Sequence, residues 1–322
     1  MFSNPKLLQP ILLHTEHNRT AVLQVLQHCC AIRGNISNSA EIALGRALPR
    51  SLKVKILLLY GIQRPTEQQK VLITMTPLFG STRSVVTSHY ALLTPAGLVS
   101  APIPGWRTSE AYVVIAPPLG ARFTQLLLTL GPDGGGDLPA DHRETFFYVR
   151  EGAVRATVGE REELLEVGGF CFSPAGQSLS VRSVSAPAKL IVFQRAYVAR
   201  PDTPLPPAIF ANEDQYSGAP FMGDESAILK VLLPDSPDFD MAVNIFTFQP
   251  GATLPIVETH IMEHGLQMIQ GQGIYRLASD WHPVQDGDVI WMAAYCPQWF
   301  VATGKTPARY IYYKDVNREP IV

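Results

Sequence analysis

A chain of 322 residues, 46% hydrophobic and 17% charged with a formal net charge of −2, has ample apolar material for a packed core and lacks the basic excess that a nucleic-acid partner needs. No apolar run approaches the roughly 20 residues of a membrane-crossing helix, so no nucleic acid and no membrane are expected as partners, and a cytoplasmic location is the expectation. The four cysteines, Cys29, Cys30, Cys171 and Cys296, have neither the paired spacing of a zinc ribbon nor the density of a disulfide scaffold, and read as free thiols.

In chain order, residues 1–72 come first. Leu23, Leu26 and the stretch 40–48 permit short helices, but charge and glycine are irregularly placed and the extension is assigned no role. Beyond it, prolines and glycines punctuate short apolar runs such as Val113-Val-Ile-Ala116, Leu126-Leu-Leu-Thr129 and Asp288-Val-Ile-Trp-Met292, the mark of many short strands joined by turns. The expected fold class is all-β. Laid along itself, the chain shows a repeat that needs no gap: Gly152 falls on Gly271, Gly168 on Gly287, Pro132 on Gly251, and 190–195 on 309–314. Each copy reads as strand, glycine turn, strand, glycine-containing turn, strand, which predicts two small β-barrels or jelly rolls side by side.

The second copy carries the chemistry. Within Glu258-Thr-His260-Ile-Met-Glu-His264, alternation along an extended strand predicts that Glu258 and His260 face the same way, with His264 joining them across a short loop. A carboxylate with two imidazoles suits Mn, Fe, Ni or Zn better than Ca or Mg, which prefer oxygen, or Cu(I), which prefers sulfur. On the last strand, Tyr310, Tyr312 and Lys314 share one face by the same alternation, and Tyr275 follows the first turn. A lysine among phenols in a barrel interior is costly without an anionic partner, which favours a ligand for it. Trp281, Trp291 and Trp299 read as barrel packing, and Asp288 as a turn residue.

Glu258, His260, His264 and Gly271, followed by Gly287-Asp288 and Pro297-Gln298, resemble the cupin double motif, and the resemblance runs from about residue 73 to the end. It implies a bicupin, two tandem cupin (jelly-roll β-barrel) domains, with an N-terminal cupin over 73–198, a linker over 199–218 and a C-terminal cupin over 219–322. Glutamate at the first ligand position and glutamine at the last depart from the commoner cupin pattern. With Pro297-Gln298-Trp299 and the ending Tyr312-Tyr-Lys-Asp-Val-Asn-Arg318, they closely resemble the (S)-ureidoglycine aminohydrolase family. That resemblance implies hydrolytic release of ammonia from (S)-ureidoglycine to give (S)-ureidoglycolate in allantoin (purine) degradation. It also implies one Mn2+ per chain on Glu258, His260, His264 and Gln298. Tyr275, Gln298, Tyr310, Tyr312 and Lys314 would bind the substrate, and Lys314 and Tyr310 would act in catalysis. Homo-oligomers are typical of the resemblance, with Phe146-Phe-Tyr148 and the stretch 200–207 as candidate contacts.

At the positions that repeat Glu258, His260, His264 and Gln298, the first copy has Pro139, Asp141, Thr145 and Leu179, too few donors for a transition metal. Nearby His142 and Glu144 are out of register and read as part of a solvated turn. Two other readings stand beside the family's chemistry. One is a different metal-dependent bicupin enzyme on a small carboxylate, a dioxygenase or an isomerase; the other is a non-catalytic binding or storage bicupin.

Overall fold

The structure, a computed structural model, describes residues 82–318. The expectations for 1–72, including Cys29 and Cys30, lie outside the described residues. Strands dominate what is described, with three single turns of 3-10 helix and no α-helix among the described residues.

The C-terminal half builds one sheet whose strands run, in spatial order, Val85–Val86, Tyr90–Leu93, Val289–Met292, His264–Gln270, Ala308–Asp315, Met241–Phe248, Asp224–Val231 and Ala219–Phe221. A smaller sheet of Asp280–Gln285, Gln272–Leu277 and Gln298–Thr303 forms the opposing wall. The N-terminal half is a single continuous sheet, in the order Ile209–Asn212, Gly169–Ser173, Arg143–Val158, Leu179–Ala196, Thr124–Leu138, Arg107–Ile115 and Ala101–Pro102, with Arg161–Leu165 added to Arg143–Val158. Its three longest strands pass through register shifts, such as that between Leu130 and Gly135, and so serve both walls of their barrel.

Strand alternation divides the apolar residues into three cores. Leu128, Phe147, Val154, Ala156 and Leu190 fill the N-terminal barrel. Phe246, Phe248, Leu266, Tyr275, Tyr310 and Tyr312 face into the C-terminal one. The opposite faces of the same strands, with Phe123, Phe146, Tyr148 and Phe193 from one half and Met241, Val243, Ile311 and Tyr313 from the other, form a third core between the barrels. Phe146, Phe147 and Tyr148 are therefore 0%, 1% and 3% exposed, and the expectation that they form an oligomer contact is corrected.

The glycine repeat has a backbone counterpart. Gly152 and Gly271 have φ of 75° and 72°, and a Cβ at either would lie 2.7 Å from the carbonyl oxygen of Pro187 or 2.6 Å from that of Pro307. Two segments cross between the halves. Tyr90–Leu93 pairs with Val289–Met292, so a stretch preceding the first barrel completes the second sheet. Ile209–Asn212, within the expected linker, pairs with Gly169–Ser173 of the first.

Candidate metal centre

The sheets of the C-terminal barrel enclose a cavity of about 260 Å³ lined by Glu258, His260, His264, Tyr275, Gln298, Tyr310, Tyr312 and Lys314, with an apolar wall of Phe221, Leu229, Phe246, Met262, Leu266 and Met292. The structure thus brings all eight residues singled out in the sequence to one cavity. Their local settings differ from the expectation in one respect. Glu258 and His260 are not on a strand: Glu258 makes an isolated antiparallel bridge with Gln298, its N–H donating to the Gln298 carbonyl and the reverse, each at 2.9 Å. His260 follows in an irregular connection, and the strand begins only at His264. The bridge fixes the Glu258 and Gln298 backbones against each other.

The donor atoms converge. His264 Nε2 lies 3.0 Å from His260 Nε2, and the Gln298 side-chain amide lies 3.0 Å from the same His260 nitrogen. His260 Nδ1 is 3.1 Å from the Met262 carbonyl oxygen, so Nδ1 carries the hydrogen and Nε2 keeps a lone pair turned inward. Burial pushes the pKa of His260 down and that of His264 well below its ordinary value, which leaves both rings neutral, the form in which imidazole ligates. Two neutral imidazoles facing each other through Nε2 are mutually repulsive unless a proton or a cation lies between them. The amide of Gln298 also contacts the Tyr275 hydroxyl, at 3.4 Å from its assigned oxygen; with oxygen and nitrogen exchanged, the oxygen faces His260 and joins the donor set.

Glu258 stands on the same cavity wall, half-buried. Burial pushes its carboxyl up and the Lys314 cation opposes that, favouring the ionised form. Among the described residues no three His, Cys, Asp or Glu side chains are grouped so that they could hold a metal ion. The fit to a divalent ion rests on the facing Nε2 atoms of two neutral imidazoles, with an amide and a carboxylate in the same cavity.

The surroundings are aromatic. Tyr275, Tyr310 and Tyr312 are each at most 7% exposed, and burial raises all three phenols far above their ordinary value, so each remains a hydrogen-bond donor at neutral pH. Asn244 donates through Nδ2 to the Tyr312 hydroxyl at 3.0 Å, and its own side-chain oxygen is buried without a partner. Nothing in a lone asparagine of a strand pattern marks it beforehand. Trp299 does not line the cavity; its indole donates to the Leu254 carbonyl at 2.7 Å. Trp291 is buried, whereas Trp281 is 57% exposed and packs edge-on against Trp299, so the expectation of barrel packing is corrected for Trp281. Asp288 is more than a turn residue: fully buried, it takes a two-pronged ion pair from Arg83 at 2.8 and 2.9 Å.

In the first barrel, Asp141 pairs with Arg143, Thr145 accepts from Gln194 at 3.0 Å, and Leu179 is core. Glu144 is not on a solvated turn as expected but 0% exposed, near Asp240 and Arg318 of the other half.

A rice protein named probable (S)-ureidoglycine aminohydrolase is 36% identical over 269 residues, which span 81% of this chain and 86% of that protein. The (S)-ureidoglycine aminohydrolases of Arabidopsis thaliana and Escherichia coli K12 are 38% and 35% identical, over 75% and 72% of this chain and 80% and 90% of their own lengths. The chain belongs to the (S)-ureidoglycine aminohydrolase family. No family model matches it. Among solved structures, the family's bicupin fold recurs in protein Ylba of E. coli, from family DUF861, with a TM-score of 0.68 and 33% identity over 75% of this chain and 97% of that one. Bacillus subtilis oxalate decarboxylase, a protein with Mn(II) centres, shares the fold at a TM-score of 0.56 and 14% identity, covering 80% of this chain and 85% of that one.

Proposed function

We propose that this chain catalyses the hydrolytic release of ammonia from (S)-ureidoglycine, giving (S)-ureidoglycolate, with a divalent ion, Mn(II), held by Glu258, His260, His264 and Gln298. The observation that carries the proposal is the convergence of two inward Nε2 atoms and an amide in a cavity that also holds Glu258, three phenols and Lys314. The names of the relatives supply the substrate.

A divalent ion bound there supplies Lewis acidity and a fixed positive charge against which a carboxylate and an adjacent amine are anchored and polarised. The chain's own residues do the rest. Lys314 pairs with the substrate carboxylate at the cavity wall, and Tyr275, Tyr312 and Gln298 offer the hydrogen bonds that orient the ureido group. The bond between the α-carbon and the amine breaks with its electron pair on nitrogen, and Lys314 or the Tyr310 phenol supplies the proton that completes ammonia. Water then adds its oxygen to the carbon and returns a proton to the donor, so atoms and charge balance. The apolar wall of Phe221, Leu229, Phe246 and Met292 limits the water that reaches the cavity.

The chain is also proposed to divide as an N-terminal cupin at 73–198 without ligands, a linker at 199–218 and the metal-binding cupin at 219–322. Homo-oligomerisation fits the exposed Met222, Ile256, Val257 and Tyr295, which belong to the segments bordering the cavity, and a cytoplasmic setting fits the free thiols of Cys171 and Cys296. The deciding experiment is ammonia release from freshly generated ureidoglycine by metal-stripped protein, with and without Mn(II), beside His264→Ala, with the product's chirality followed. Metal-dependent release of the (S)-product that the variant loses is the expected result. No acceleration over the spontaneous reaction by the Mn-loaded protein would overturn the assignment.

A further inference from the structure

We propose that Arg122, which precedes the strand Thr124–Leu138 of the N-terminal barrel, is a positioning residue that sets His264 and Lys314 relative to each other. His264 and Lys314 are register partners on adjacent strands, so their separation is fixed by how the ends of those strands are held. The residue beside each is tied to its counterpart: the Glu263 N–H donates to Asp315 Oδ1 at 2.7 Å.

Arg122 closes this tie from the other barrel, 141 residues from Glu263 and 193 from Asp315. Its backbone N–H lies 3.0 and 3.2 Å from the two Glu263 carboxylate oxygens, its Nε donates to one of them at 3.1 Å, and its terminal guanidinium nitrogen donates to Asp315 at 2.8 Å. The planar fork of arginine serves both acids at once, which the point charge of lysine cannot do. Trp291, on the strand at the other side of His264, adds an indole donor to Glu263 at 3.3 Å.

Packing makes the same contact. A Cβ at Gly265 would lie 2.3 Å from the Phe123 ring, so only glycine after His264 lets the N-terminal barrel seat against this strand. Arg122 and Phe123 thus bracket the position of His264 without lining the cavity themselves. The N-terminal barrel thereby acquires a part in the site of the C-terminal one. Residues that orient ligands indirectly are worth about 10–100-fold in metal affinity or activity.

The inference rests on the ligand set proposed above, and the test separates the two. Metal-stripped full-length wild type, Arg122→Leu, Arg122→Lys and Asp315→Asn are titrated with Mn(II) by calorimetry, and kcat and KM are measured for ammonia release. Arg122→Leu is expected to weaken Mn(II) binding about 10-fold or more, lower kcat and raise KM, with Arg122→Lys and Asp315→Asn intermediate. If Arg122→Leu does not fold, the two milder variants decide by the same quantities. Wild-type Mn(II) affinity, kcat and KM in the variants, with only the melting temperature lowered, would overturn the inference and leave the ligand set intact. A wild type that binds no Mn(II) would overturn both.

Discussion

Two residues in the cavity, Tyr312 and Lys314, carry donor hydrogens, and a neighbour orients that of Tyr312. The Tyr312 hydroxyl accepts from Asn244, which leaves its own hydrogen free to turn into the cavity, and burial keeps that hydrogen on the phenol. Asn244→Leu preserves volume and removes the donor. The expected loss is about 1 kcal/mol, roughly five- to tenfold in kcat/KM, with unchanged circular dichroism. An unaltered kcat/KM would show that Tyr312 is only packing. Lys314 makes a stronger demand, because a hydrogen bond to a charged group is worth about 1.5–3 kcal/mol. Lys314→Met is therefore expected to raise KM for ureidoglycine by roughly one to two orders of magnitude. Its effect on kcat distinguishes the two proton donors: a parallel fall in kcat assigns the proton to Lys314, and a preserved kcat assigns it to Tyr310.

The strands and turns show why part of this molecule could be read in its sequence and part could not. Gly152 and Gly271 were legible because a left-handed turn that meets a carbonyl oxygen is a local requirement that only glycine meets. Gly271→Ala is accordingly expected to cost about 1–3 kcal/mol in urea unfolding, and a cost near zero would mean that the turn relaxes. The face shared by Tyr310, Tyr312 and Lys314 was legible for a similar reason, since alternation is a property of the strand itself. His260 was readable as a candidate but not in its setting, because the Glu258–Gln298 bridge joins two segments far apart in the chain. The same limit hid the pairing of Tyr90–Leu93 with Val289–Met292 and the reach of Arg122 to Glu263. A charge-rich loop likewise gave no sign that Glu144 would be buried, since Asp240 and Arg318 near it belong to the other half of the chain.

That proximity makes the junction of the two barrels sensitive to pH. Both oxygens of Glu144 and Oδ1 of Asp240 are buried without partners, and Arg195, which lies 3.5 Å from Asp240 and donates to the Tyr313 hydroxyl, is the cation set among them. Two buried carboxyls set against each other favour a proton shared by the pair, with Glu144 donating to Asp240. Burial first, and then Asp240, push Glu144 up to about 10 from its ordinary 4.5, against the opposing charges of Arg195 and Arg318. Because the folded value is raised, the unfolded chain releases this proton first as pH rises. The contribution to stability is whole below the ordinary carboxyl value and is lost progressively as pH climbs towards the folded value, by at most about 1.4 kcal/mol per pH unit for one proton. Glu144→Gln keeps a donor for Asp240 and has no proton to lose. Between about pH 6 and about pH 9 the melting temperature of the wild type is expected to fall more than that of the variant. Parallel curves would mean that Glu144 is ionised at the junction, with Arg195 neutralising it in place of a shared proton.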